Sequence, residues 1–182
     1  ALGCGPVTQF GPAEWQEMGY DRLISSLEVG YRLDPRQNNL DLRLDGNTRD
    51  WMSLNLDVSF SMSALPATLF DFMLLTPRLA KLELVIRDNG FNQRRNDYCA
   101  KKTNKTVNDY LADHTQLITT RLRDSGLNPG PGIISAYQAS LLNDSELVIT
   151  ATPPTAINPA ELPDYAAADA IKLLGLTLKA NN

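Results

Sequence analysis

From residue 27 to residue 62 the chain alternates apolar and polar side chains with a period of two. Leu27, Val29, Tyr31 and Leu33 share one parity, and Leu40, Leu42 and Leu44 share the next. Met52, Leu54, Leu56, Val58, Phe60 and Met62 make the longest run. That period marks strands with one face on a core and the other in water. The outward positions are Glu28, Asp41, Arg43, Asn55, Asp57 and Ser59, so the second face is wet. Asp34-Pro35-Arg36-Gln37-Asn38-Asn39 separates the first two runs: proline fixes φ there and asparagine tolerates left-handed backbone. Asp45-Gly46-Asn47 is a hairpin signal for the next turn. The pattern predicts a three-stranded antiparallel meander in which Leu56→Ala costs about 2–5 kcal/mol, as for a buried leucine, and Asn55→Ala costs little.

The rest of the chain mixes helices with strands. Pro66 opens a predicted helix over residues 67–75, apolar nearly all round, that fills the hollow of the sheet. Leu82, Leu84 and Ile86 mark a fourth strand. Helices are predicted over 91–102, 106–125, 133–142 and 166–174. The second of these carries the stripe Val107, Leu111, Ile118 and Leu122, a Thr106–Asp109 capping pair, and Gly126 with Pro129 as its stop. Leu147 and Ile149 begin a fifth strand ended by Pro153 and Pro154, and Leu176-Thr177-Leu178 supplies a sixth. Residues 1–21 read as an N-terminal arm with a helical turn near 13–18, plugged onto the core by Phe10 and Trp15. Residues 22–182 form the domain. The fold class is α+β: a curved antiparallel sheet of five to six strands with helices packed on one face.

Composition narrows the function classes. A length of 182 residues is enough for one domain with a real core. A net charge of −4 and a pI near 5.0 lack the basic footprint of a nucleic-acid binder. No run of eighteen apolar residues is present, so the chain shows no transmembrane segment. Two cysteines, Cys4 and Cys99, fit one disulfide and an oxidising compartment. Leu2-Gly3-Cys4 is similar to the small-residue-then-Cys site of bacterial lipoproteins, which adds membrane anchoring upstream as an expectation.

Candidate chemistry is sparse. The single histidine, His114, stands beside Asp113, but adjacent helical residues point in different directions and form no dyad. No His, Cys or carboxylate set has metal-ligand spacing, no serine sits in a Gly-x-Ser-x-Gly elbow, and Gly130-Pro131-Gly132 is not followed by the Lys-Ser/Thr of a phosphate loop. Asp41 and Asp57 on neighbouring strands read as solubilising carboxylates. The distinctive polar stretch is basic: Arg94, Arg95, Lys101, Lys102 and Lys105 surround Tyr98.

These features point to a non-enzymatic extracytoplasmic domain, periplasmic or of the cell envelope, that binds a partner protein and needs no cofactor or metal. Arg94, Arg95, Tyr98, Lys101 and Lys102 are the candidate contact residues, because Tyr and Arg are enriched at binding hot spots. Replacing both arginines by glutamate is expected to abolish capture and to spare the melting temperature. The alternative is a carrier of lipid or another apolar ligand, with Met52, Phe60, Met62, Phe70, Phe72 and Met73 lining a pocket between sheet and helices.

Overall fold

The computed structural model of the chain describes residue 4 and residues 9–63 and 77–181. The predicted helix over 67–75, with Phe70, Phe72 and Met73, lies outside the described residues. The elements run α1 (Pro12–Glu17), β1 (Ser25–Asp34), β2 (Asn39–Thr48), β3 (Met52–Ser61), β4 (Arg78–Asp88), α2 (Phe91–Lys102), α3 (Val107–Asp124) and α4 (Pro131–Ala139). They continue with β5 (Glu146–Ala151), a 3-10 turn (Pro159–Asp164), α5 (Ala167–Leu174) and β6 (Leu176–Asn181). The strands form one curved, fully antiparallel sheet in the order β1-β2-β3-β4-β5-β6, so the α+β expectation holds.

The register turns the period-two pattern into a continuous apolar face. Val29 stands opposite Leu44, Leu44 opposite Leu56, Leu56 opposite Leu84, Leu84 opposite Ile149, and Ile149 opposite Leu178. The same parity holds one pair further along, from Tyr31 through Leu42, Val58 and Leu82 to Ala151 and Leu176. A register shift between Ser59 and Phe60 lets Phe60 face Leu79, and Leu79 in turn bridges to Ile157. This makes β4 longer at its start than Leu82–Ile86 alone implies.

Helix boundaries follow local chemistry. Thr106 caps α3 by accepting from the Asp109 amide at 3.2 Å, and its own hydroxyl donates to the Asp109 carboxylate. Pro131 starts α4 two residues before its apolar stripe does, as proline suits a first helical position. Gly175 closes α5 at φ +57°, and a Cβ there would stand 2.5 Å from the Thr152 carbonyl oxygen, so glycine is required on two counts.

Among the described residues burial falls at both ends of the sheet: Leu40, Met62, Leu79 and Ala151 lie toward one end, and the helices cover the other. In α2, Phe91, Arg95 and Cys99 form one buried column and Asn92, Asn96 and Ala100 a second. Phe91 joins Met18 and Tyr20 in a buried cluster that Phe10, Trp15, Trp51 and Met52 pack against. Trp15 meets Tyr20 and Phe10 edge-on, each at 5.6 Å between centroids. The described part of the arm is thereby docked into the core. A disulfide joins Cys4 to Cys99, whose side chain is fully buried. One sulfur cannot carry both a disulfide and a thioether, so Cys4 is not a lipidation site in this state, and the lipoprotein-like start loses its chemistry.

Between these ends the described residues cover the sheet thinly. Leu42, Leu44, Leu56, Val58, Leu82, Leu84 and Ile149 are all only part-buried, and β1 is exposed along nearly its whole length.

Candidate functional site

Three regions hold the residues singled out from sequence. The first is the basic stretch of α2. Arg94 is half-buried: its guanidinium lies 4.8 Å from the centroid of the Tyr20 ring and donates to the Gly19 carbonyl at 3.1 Å. Arg95 is only 5% exposed and donates through Nε and Nη2 to Asn96 Oδ1. Burial lowers its pKa from the usual arginine value. Arg95 is therefore not available to a partner, which corrects the expectation that both arginines form the contact surface. Its spacing with Phe91 and Cys99, at i, i+4 and i+8, puts this charge on the buried stripe of α2.

Tyr98 is part-buried against Phe10, and the Lys102 ammonium lies 5.8 Å from its ring centroid. Lys101 and Lys102 are exposed. Glu17 and Asp97 line the same surface depression, so its charge is mixed rather than basic. Lys105 pairs with Asp113 on α3. Two substitutions separate the arginines. Arg95→Ala strands a buried Asn96 acceptor and is expected to cost about 1–3 kcal/mol. Arg94→Ala loses an exposed ring contact and is expected to cost about 0.5–1 kcal/mol. Chemical denaturation of both variants checks the order.

The second region is a cleft of about 210 Å³ where α2 and α4 meet the sheet, lined by Met52, Ile86, Phe91, Arg95, Tyr137 and Leu147 among others. Its volume falls below the range of about 300–1,000 Å³ typical of ligand pockets. Of the described residues of the proposed apolar lining, Met52, Phe60 and Met62, only Met52 is here. Phe60 pairs with Leu40 at the far end of β3, roughly 27 Å away at about 3.3 Å per residue. Met62 lies beyond it, and its amide donates to the Asn38 carbonyl. The structure does not bring these residues into one pocket.

His114 is buried beside this cleft. Its Nε2 and the Tyr137 hydroxyl are 2.9 Å apart, the two rings stack, and Nδ1 has no partner among the described residues. Burial, with Arg95 nearby, lowers its pKa from 6.5 to about 4. The folded state therefore holds the neutral ring, and the unfolded chain binds the extra proton between those two values. Stability conferred by neutral His114 is complete above about pH 6.5 and is lost as pH falls toward 4, by up to about 3 kcal/mol. A melting-temperature profile over this window should flatten in His114→Gln.

Asp41 and Asp57 are not a working pair. Asp41 accepts from the Ser59 hydroxyl and from Arg32, which hold its pKa below the ordinary carboxylate value, and Asp57 stands opposite Arg43. Among the described residues no group of three or more His, Cys, Asp or Glu side chains could hold a metal ion.

The third region is β1, an edge of the sheet. The Ile24 carbonyl accepts from the Arg49 amide, so even-numbered residues of this strand turn their backbone groups toward β2. Odd-numbered residues then turn N–H and C=O outward, and none has a backbone partner beyond β1 among the described residues. The same odd residues carry exposed apolar side chains: Leu27 at 67%, Val29 at 68% and Tyr31 at 76%. Sequence reasoning put these residues on the apolar face correctly. It could not show that they are exposed, because buried and exposed strands of this pattern read alike.

The disulfide, and the lack of any helix among the described residues long and apolar enough to cross a membrane, are compatible with an extracytoplasmic location. No curated protein and no solved structure matches the chain. A family model does match, over residues 37–181, which takes in β2 to β6 and the helices between them. The chain belongs to that protein family, whose description is "Uncharacterized protein".

Proposed function

We propose that this protein is a non-enzymatic binding domain of an extracytoplasmic compartment, and that a partner protein docks by adding an extended segment to β1. The observation that carries the reading is the edge of a ten-residue strand, unpaired among the described residues, with three strongly exposed apolar side chains. Proteins ordinarily blunt such an edge with charge, proline, a bulge or a covering element, because it templates pairing. An added strand satisfies the outward backbone groups and extends the apolar face, with pockets at alternate side chains giving specificity. A lipid uses no backbone N–H or C=O, so this edge favours a protein partner over the carrier reading. The disulfide supports the oxidising compartment. Arg94, Tyr98, Lys101 and Lys102 on α2 are a weaker anchor, because Arg94 is held by Tyr20 and Gly19, Tyr98 is part-buried and the charge around them is mixed.

The test is photo-cross-linking in native envelope with a benzophenone amino acid at Tyr31, followed by mapping of the cross-linked peptide. An extended peptide of one defined protein is expected. Val29→Pro removes an outward N–H without touching the β2 ladder and should abolish the product. Cross-linking that survives Val29→Pro would remove strand addition as the docking mode. A bound lipid in native mass spectrometry, with no cross-linked peptide, would favour the carrier.

A further inference from the structure

We propose that the strand added to β1 is β1 of a second copy of this chain, antiparallel about a two-fold axis through Gly30; this rests on the strand-docking reading above. The argument is one of register. Only odd-numbered residues of β1 turn their backbone groups outward, so two copies must hydrogen-bond odd to odd. A two-fold axis at Gly30 satisfies this, with Val29 against Tyr31 of the second copy and Leu27 against Leu33. The even residues then face each other in the closely spaced, non-hydrogen-bonded positions. There Glu28 meets Arg32 of the second copy, twice by symmetry.

Neighbouring registers lose this match. Moving the axis to residue 29 sets Glu28 against Gly30 and Arg32 against Ser26. Moving it to residue 31 sets Glu28 against Asp34, a like-charge pair that destabilises a sheet. Among these three, only the Gly30 axis sets both charges opposite a charge of opposite sign in the second copy; Arg32, bonded to Asp41 in its own chain, then lies between two carboxylates.

Gly30 is a second, independent observation. It interrupts an otherwise well-formed strand, and nothing in its own chain requires it: a Cβ there would meet no atom within 4 Å. Glycine within a strand marks a bulge, a tight bend or a close approach of a ligand or another backbone, and the unbroken β1–β2 register removes the bulge. At the axis the two Gly30 Cα atoms stand about 4.5 Å apart. Equal parity across the axis keeps the apolar residues of both copies on one face, and the cross-strand Val29–Tyr31 contact is of a favoured aromatic–β-branched type. The pairing joins two six-stranded sheets into one.

Sedimentation velocity and native mass spectrometry on the whole chain, at tens of micromolar and low salt, should show a dimer. Arg32→Glu should shift it to monomer, and Glu28→Arg with Arg32→Glu should restore the dimer by exchanging the charges. Circular dichroism on each variant confirms that it folds. As a geometric probe, Gly30→Cys should form an intermolecular disulfide under mild oxidation, because about 4.5 Å between Cα atoms suits the bond, whereas Ser26→Cys should not. A monomeric parent protein, an Arg32→Glu variant that dimerises as well as the parent, or a cross-link at Ser26→Cys in preference to Gly30→Cys would overturn the proposal. If the Tyr31 cross-linker captures a different protein, self-pairing fails while strand docking stands. If it captures neither itself nor another protein, both fail.

Discussion

Cys4→Ser is expected to lower stability by about 4–5 kcal/mol. The bond joins residues 95 apart, and closing a loop of that length removes that much chain entropy from the unfolded state. For a chain of this size the loss corresponds to a melting temperature lower by about 10–15 °C. Its position enlarges the consequence. Cys99 lies between Tyr98 and Ala100 in the buried cluster completed by Tyr110, so the tie holds the arm against the same helix that Trp15 and Tyr20 pack on. Adding reductant to the parent protein should bring its melting temperature down to that of Cys4→Ser, and should leave the variant unmoved. Equal melting temperatures for parent and variant would mean that the arm's aromatic contacts alone fix it in place.

Phe91→Ala is the second large effect, expected at about 3–5 kcal/mol, the usual cost of emptying a buried aromatic site. Phe91 is 2% exposed. Its ring touches Trp15 and Trp51 at 5.9 and 6.0 Å between centroids and lies 5.6 Å from the Arg95 guanidinium carbon. Its removal therefore loosens the arm, the β2–β3 turn and a buried charge together. Leu56→Ala gives the contrast. Leu56 is only half-buried, so its loss should fall at or below about 2 kcal/mol, the lower end for a buried leucine. Asn55 is bonded to Asp45 and to Arg87, so Asn55→Ala should cost more than a free surface residue and narrow the gap. Urea titrations of the three variants, ranked with Phe91→Ala lowest in midpoint, check the assignment of a core to the helical end.

The sheet was legible because its information is local. Side-chain parity is fixed by the strand itself, and the register found here pairs Leu44 with Leu56 and Leu84 with Ile149 as the alternation requires. Helix ends were legible wherever a cap or a stop residue marks them, as at Thr106 and Gly175. What sequence could not supply was depth. Tyr31 and Tyr20 are the same residue type in similar apolar company, yet one is 76% exposed and the other buried in the aromatic cluster. Depth depends on which element lies above a face, and that is settled by tertiary placement. The misreading of Arg95 has the same origin: its charge argued for water, and the helical stripe it shares with Phe91 and Cys99 prevailed.

Asp88 sets where this chain can change length. Its carboxylate accepts from the amides of both Asn92 and Asp144, and its own amide donates to the Ser145 carbonyl. One side chain thus seals the neck of the whole helical excursion between β4 and β5. The ladder between those strands is completed below that seal, at Arg87 opposite Glu146. The α3–α4 loop, residues 125–130, is mostly exposed, whereas α4 itself packs on β6 and its Tyr137 lines the cleft over β3 and β4. A change of length in that loop lies beyond the seal, and the strands beneath keep their register.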